Sequence, residues 1–124
     1  MSAWRPDPDL TIIQVIMARK RRAYELVYAP VVNDHLRAID RKHYALIRTT
    51  IEDQLRHEPL TETRNRKPLR RPASFGAAWE LRFGPDNRFR VFYDADPERR
   101  EVRVLAIGVK ERDRLYIGSE EIEL

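Results

Sequence analysis

Apolar and polar residues alternate or recur with a period that changes along the chain, and each change predicts a different element. Residues 22–28 alternate, which predicts a first strand. Over residues 31–40 the apolar positions recur at helical spacing, and a second helical stripe runs through residues 42–57 until Pro59 ends it. The first half of the chain should therefore form a strand followed by a helical hairpin.

The second half of the chain returns to the period of a β-strand. Residues 79–83 and 89–93 alternate on either side of the turn sequence GPDN at 84–87. Residues 101–109 form a third run that is apolar on both faces, which is typical of a central strand. The element order β-α-α-β-β-β predicts an α+β fold, with an antiparallel sheet and the helical hairpin packed on one face.

A chain of 124 residues is expected to form one main domain. We place that domain at residues 22–117, followed by an acidic tail at 118–124. Residues 1–21 contain two closely spaced prolines and should be an appended, poorly ordered segment. Met17 directly precedes a basic block and is an alternative start.

Composition argues against several classes of protein. The chain has no cysteine, so it can form neither disulfides nor cysteine metal sites. His35, His43 and His57 lack a metal-ligand spacing and are expected on the surface, and we expect no metal and no cofactor. The apolar run at residues 10–17 is too short to span a bilayer and does not resemble a signal peptide. A cytoplasmic protein that does not bind membranes is expected.

Positive charge is concentrated in one long predicted loop, residues 58–78. The net charge of +4 is only a weak indication of a polyanionic partner. Residues 64–71 alone, however, carry five positive charges and no negative one. A solvated loop is one explanation, and a phosphate-binding loop is the other, because guanidinium groups bind phosphate oxygens in pairs.

A second set of charged residues lies on the predicted sheet. Arg82 and Arg90 come from neighbouring strands, opposite the apolar side of each strand, and Glu80 shares the face of Arg82. A cross-strand salt-bridge ladder would explain them. The alternative is a charged sheet face that binds a phosphodiester, with Lys110 and Tyr116 at its rim. The residues alone leave both explanations open.

Three stretches together resemble the RelE/ParE superfamily of bacterial toxins. They are NRKPLR at 65–70, WELRFGPDNRFRVFYD at 79–94 and VLAIGVKERDRLYI at 104–117, and the resemblance covers roughly residues 23–117. It implies the toxin of a type II toxin–antitoxin module, with a cognate antitoxin protein as partner. RelE-like members cleave mRNA in the ribosomal A site. ParE-like members poison DNA gyrase and lack the ribonuclease residues.

The resemblance also implies a set of catalytic residues. The family's arginine in the strand before the last falls on Arg90, the basic residue after the last strand on Lys110, and the tyrosine that follows on Tyr116. The two lysines of the first hairpin strand fall on Glu80 and Arg82. Glu80 departs from the family pattern, because a carboxylate stands where a cation is usual.

In such a site the reaction needs no metal and produces a 2′,3′-cyclic phosphate. Arg82 and Arg90 would stabilise the pentavalent phosphate. Tyr116 is the favoured base for the 2′-hydroxyl proton, with Glu80 as the competing base, and Lys110 is the candidate acid for the leaving oxygen. The other basic residues are expected to bind RNA: Arg64, Arg66, Lys67, Arg70, Arg71, Arg112 and Arg114.

Three functions therefore remain open. The first is a ribosome-dependent mRNA endonuclease, which the combination of Arg90, Lys110 and Tyr116 favours. The second is a non-catalytic gyrase poison, which the carboxylate of Glu80 keeps in consideration. The third is a non-toxic nucleic-acid-binding protein.

Overall fold

A computed structural model describes residues 23–123, so the expectations for residues 1–21 and for a start at Met17 fall outside the described part. Its regular elements, apart from two short 3-10 turns, are β1 Glu25–Tyr28, α1 Val32–Arg37, α2 Tyr44–Leu55, β2 Arg66–Pro68, β3 Trp79–Phe83, β4 Phe89–Asp96, β5 Glu101–Glu111, β6 Arg114–Ile117 and β7 Glu120–Ile122. The 3-10 turns are Arg41–His43 and Pro85–Asn87.

The described strands form one sheet in the order β2-β3-β4-β5-β6-β7, and β1 also pairs with β5. All pairs are antiparallel except β1 with β5, which is parallel. The predicted α+β class and the largely antiparallel sheet are confirmed. The prediction of four strands was wrong, because β2, β6 and β7 have only three or four residues each and carry little apolar alternation.

Strand β5 is the centre of the sheet because three other strands pair with it. Strand β4 pairs with β5 along one side of β5. On the other side, β1 pairs with residues 101–104 and β6 pairs with residues 108–111. Between these two pairings, the backbone N–H of Ile107 donates to Nδ1 of His35 at 3.2 Å. A side chain from α1 thus satisfies a backbone donor that neither neighbouring strand reaches.

One face of the sheet, here called the helix face, packs against both helices. Ile47, Ile51 and Leu55 recur at helical spacing on α2 and are buried. They form one apolar cluster with sheet residues such as Val91 and Val104. Within residues 23–123, no helix has the length and the apolar character needed to cross a membrane.

The opposite face has a smaller core of its own. Phe92 and Ala106 project from β4 and β5 and pack with Ala73 and Ala77, which lie between β2 and β3. Much of the predicted loop at 58–78 is therefore packed against the sheet, and its middle contributes β2.

The start of this segment is fixed by two buried polar side chains. The guanidinium of Arg66 donates to the backbone oxygen of Gln54 at 2.9 Å and to that of Thr61 at 3.0 Å, so it caps the carboxyl end of α2. The hydroxyl of Tyr93 donates to the backbone oxygen of Pro59 at 2.5 Å. Burial raises the pKa of Tyr93, which keeps this donor protonated.

The histidines differ from the expectation that all three lie on the surface. His57 is exposed and His43 is half-buried, with its ring centroid 5.0 Å from that of Phe89. His35 is buried, so the expectation was wrong there. Burial lowers the pKa of His35, with Asp34 opposing the shift. The neutral ring is also the form that can accept the hydrogen bond from Ile107.

We expect the stability of the protein to depend on this histidine. Because the pKa of His35 is lower in the folded protein than the value of about 6.5 expected in the unfolded chain, the unfolded chain binds more protons. The free energy of unfolding should therefore be highest above about pH 6.5 and decrease as the pH falls below it. Urea unfolding at several pH values measures this.

Replacement of the imidazole ring of His35 tests whether this residue causes the pH dependence of stability. His35→Leu should lower the free energy of unfolding at neutral pH by about 1–3 kcal/mol, because it leaves the N–H of Ile107 without an acceptor. It should also flatten the pH dependence, whereas His57→Leu at an exposed position should change neither. An unchanged pH dependence in His35→Leu would contradict the assignment.

Candidate functional site

Charged side chains gather on the sheet face opposite the helices, here called the charged face. Arg82 on β3 lies directly opposite Arg90 on β4, and Arg90 lies opposite Gly108 on β5. Residues directly opposite each other share a face. Glu80 and Lys110 are each two residues from this row and project from the same face. The structure thus brings together four of the five predicted catalytic residues.

Glu80 links the two arginines. Its Oε1 accepts from Nε of Arg82 at 2.6 Å, and its Oε2 pairs with Nη1 of Arg90 at 3.2 Å. Glu80 is only 4% exposed and Arg90 only 8%. Two cations directly opposite each other would repel, so the carboxylate between them holds the pair in place. The salt-bridge alternative is therefore observed, and both oxygens of Glu80 are already occupied.

Arg90 is fixed from a second side by the turn before its strand. Its Nε donates to the backbone oxygen of Asn87 at 2.8 Å. That turn follows Gly84, whose φ of +81° favours glycine, and a Cβ there would lie 2.5 Å from the ring of Phe89. The guanidinium of Arg90 is therefore preorganised, with little freedom to follow a ligand.

Lys110 offers an ammonium group that is free to bind a ligand. Its backbone N–H donates to the oxygen of Arg88 at 2.7 Å, which fixes the backbone. Its ammonium group has neither a hydrogen bond nor an ion pair among the residues that the structure describes. Two shallow depressions, of about 550 and 450 Å³, are both lined by Lys110 and Arg90. Basic side chains outnumber acidic ones four to two in the larger depression, which is therefore positively charged, whereas the smaller one contains three basic and four acidic side chains.

Tyr116 is the predicted site residue that the structure does not bring to this face. Tyr116 lies opposite Val109, which packs against the helix-face core. The residue opposite Lys110 is instead Leu115, which packs on the charged face. The β5–β6 hairpin sets this register, and a shift of one residue would exchange the two faces. Tyr116 and Arg90 are thus on opposite sides of the sheet.

Some of the predicted RNA-binding side chains are bonded to other residues of the protein, and the others are exposed to solvent. Arg66 is buried and bonded to α2 and the loop, so its guanidinium serves the fold. Lys67 pairs with Glu62 at 3.5 Å, and Arg114 pairs with Glu121 at 3.4 Å. The remaining candidates are exposed to solvent: Arg64, Arg70, Arg71 and Arg112.

Sequence reasoning missed Arg88, which lies where the two faces meet at the end of the sheet. Its Cζ is 5.3 Å from the ring centroid of Phe89, and its Nη2 is 3.6 Å from a carboxylate oxygen of Glu111. It also lines a depression that contains Arg90 and Lys110. Its position directly before a strand, after the turn residues at 84–87, is the only signal in the sequence.

Across residues 23–123, no group of three or more His, Asp or Glu side chains could hold a metal ion. What the charged face offers is a fixed carboxylate-bridged pair of guanidinium groups with one unpaired ammonium group beside it.

Comparison with solved structures places the fold. The chain superposes on a chain of the toxin–antitoxin complex RelBE2 from Mycobacterium tuberculosis with a TM-score of 0.55 and 24% sequence identity. The match covers 71% of this chain and 99% of that one. No protein-family model and no curated protein matches the sequence. The two chains therefore share a fold.

We expect Glu80 to be required for stability. Glu80→Gln should lower the free energy of unfolding by roughly 2 kcal/mol or more, because it leaves Arg90 buried without its counter-charge, while Arg82 is partly solvated. The exposed pair of Glu62 and Lys67 provides the control, since Glu62→Gln should cost less than about 1 kcal/mol. Equal losses in denaturant unfolding would contradict the bridging role.

Proposed function

We propose that the protein is the toxin of a toxin–antitoxin module and cleaves mRNA in the ribosomal A site, in the cytoplasm. Two findings support this: the fold shared with a chain of the RelBE2 complex, and the cations that converge on the charged face. The observation on which the proposal depends is the pair of Arg82 and Arg90, held by Glu80, with Lys110 unpaired beside them.

The proposed reaction is attack by the 2′-hydroxyl on the adjacent phosphorus. The P–O5′ bond breaks, the proton of the 2′-hydroxyl passes to a base, and the products are a 2′,3′-cyclic phosphate and a free 5′-hydroxyl. Arg82 and Arg90 would stabilise the additional negative charge of the pentavalent phosphate, because their planar forks match its oxygens. Lys110 would donate the proton that the leaving 5′-oxygen takes up. The preorganised guanidinium groups need little rearrangement as the charge develops.

Of the roles in this reaction, the base that removes the 2′-hydroxyl proton has the least geometric support. Tyr116 lies across the sheet from Arg90, and both oxygens of Glu80 are in ion pairs. In this proposal, rate enhancement therefore comes mainly from charge stabilisation and from the acid, and the assignment of Tyr116 as base stays a prediction.

The position of Tyr116 and the ion pairs of Glu80 favour a second candidate function. A toxin that poisons DNA gyrase without cleaving RNA does not need Tyr116 beside Arg90, and it tolerates a carboxylate at Glu80. The charged face would then be a protein-binding surface.

We expect Lys110→Ala to separate the two candidates. In the ribonuclease, loss of the acid should reduce mRNA cleavage by about 10²–10⁴-fold while stability changes by less than about 1 kcal/mol, because the ammonium group has no partner in the described part of the chain. Arg48→Ala, at an exposed position on α2, is the matched control. Cut sites are mapped from the 5′ ends of cellular mRNA after induction.

DNA breaks trapped on gyrase are measured in the same cells. Growth arrest without new mRNA ends, accompanied by DNA breaks trapped on gyrase, would refute the ribonuclease and support the second candidate. Full cleavage by Lys110→Ala would remove Lys110 from the mechanism.

We also expect a cognate antitoxin that is acidic in its toxin-binding part, because the charged face and the exposed arginines of 64–71 need counter-charge. Co-expression with a small neighbouring gene should give a complex that stays together in moderate salt. Toxicity that no neighbouring gene product neutralises would argue against this partner.

A further inference from the structure

A groove on the helix face runs between the end of α1 and strands β5 and β6. Its volume is about 250 Å³, and its apolar lining comes from Ile39, Phe89 and Val109. Sites for drug-sized ligands are usually about 300–1,000 Å³, so this groove suits a smaller molecule. The cations of the charged cluster, Arg90 and Lys110, do not line it, so the groove is separate from that site.

A buried polar side chain, His35, forms part of this lining. The residue is only 8% exposed. Because Nδ1 of its ring accepts from the backbone N–H of Ile107 at 3.2 Å, the proton of the neutral ring lies on Nε2. Burial lowers the pKa of His35, which favours this neutral ring.

The Nε2–H of His35 has no acceptor among residues 23–123. The neighbouring ring atom Cδ2 lies towards Gly118, where a Cβ would be 3.3 Å from it, and Gly118 also lines the groove. A buried donor without an acceptor is unfavourable, and native proteins rarely leave one. An acceptor oxygen of a molecule in the groove would satisfy it.

A hydrogen-bond acceptor lies at the exposed rim of the same groove. Oδ1 of Asp40 accepts from the backbone N–H of Lys42 at 3.0 Å. The other carboxylate oxygen, Oδ2, has neither a hydrogen bond nor an ion pair within the described part of the chain. The groove thus presents a buried donor and an exposed acceptor beside an apolar surface.

The charge of the lining discriminates between neutral and anionic ligands. Two carboxylates, Asp40 and Glu111, line the groove together with one arginine, Arg88. That guanidinium is already engaged, because it lies 3.6 Å from an oxygen of Glu111 and 5.3 Å from the ring centroid of Phe89. A carboxylate ligand would place its second oxygen against Asp40 and be repelled.

We propose that the groove is a binding site for a small neutral molecule with a primary carboxamide on a compact apolar body. The carbonyl oxygen accepts from Nε2 of His35, and the amide nitrogen donates to Oδ2 of Asp40. The apolar body packs on Phe89 and Val109. This site goes beyond the proposed function and does not depend on it, since it uses none of the cations of the charged cluster.

Benzamide is the probe, and the test is its titration into the full-length protein labelled with ¹⁵N. It should shift the amide resonances of Val109 and Gly118, with a dissociation constant in roughly the millimolar range for so small a ligand. Benzoate has the same shape with a charge, and acetophenone lacks the N–H donor. Each should bind about 10-fold more weakly than benzamide.

Asp40→Asn tests the hydrogen-bond pattern at the rim. Asparagine caps a helical turn as well as aspartate does, so the 3-10 turn at Arg41–His43 should be kept. Its side-chain amide donates where the carboxylate accepts, so the variant should bind benzamide about 10-fold more weakly and benzoate more tightly. Asp53→Asn, at an exposed position on α2 outside the groove, is the matched control and should change neither affinity.

A second variant covers the case in which Asp40→Asn misfolds. Ala38 lies exposed at the end of α1 with a helical backbone and lines the groove, so Ala38→Phe should fill it and abolish the benzamide shifts. The proposal is wrong if benzamide leaves the groove resonances of the unmodified protein unchanged. Equal binding of benzamide and benzoate, or normal binding of benzamide by Ala38→Phe, would also overturn it.

Discussion

The pairing of the central strand Glu101–Glu111 with three other strands is the constraint on which the structure depends. Strand β4 occupies one edge, while β1 and β6 divide the other between them. The interval between β1 and β6 is closed by His35, which accepts from the backbone of Ile107. This arrangement joins the parallel and antiparallel parts of the sheet, and it brings the end of β5, with Lys110, beside Arg88 and Arg90.

A second constraint is electrostatic. The sheet places Arg82 directly opposite Arg90, an arrangement that is unfavourable unless a counter-charge lies nearby. The buried carboxylate of Glu80 provides it, and its two oxygens hold the two guanidinium groups in fixed directions. The cluster keeps a net positive charge, because one carboxylate offsets only one of the two arginines and Lys110 has no partner within the described residues. A rigid, positively charged surface of this kind is what a phosphate transition state requires.

Tyr116 and the charged cluster lie on opposite faces of the sheet, and Arg88 at the end of the sheet lines a depression on each side. The register of β5 with β6 produces this separation, because it places Tyr116 opposite Val109 and Leu115 opposite Lys110. In the proposed function, the charge-stabilising residues therefore lie together on one face, and the predicted base lies on the other.

The sequence by itself determined the elements with strong periodicity: the first strand, the stripe of α2, and the strands around Leu81, Val91 and Val104. It also placed Glu80, Arg82 and Arg90 on one face, since alternation within a strand is a local property. The tertiary structure alone decided that Tyr116 faces the helices, that Arg66 caps α2 and that His35 is buried. Each of these depends on pairing or packing between distant segments, and strand register in particular reverses every side chain when it shifts by one residue.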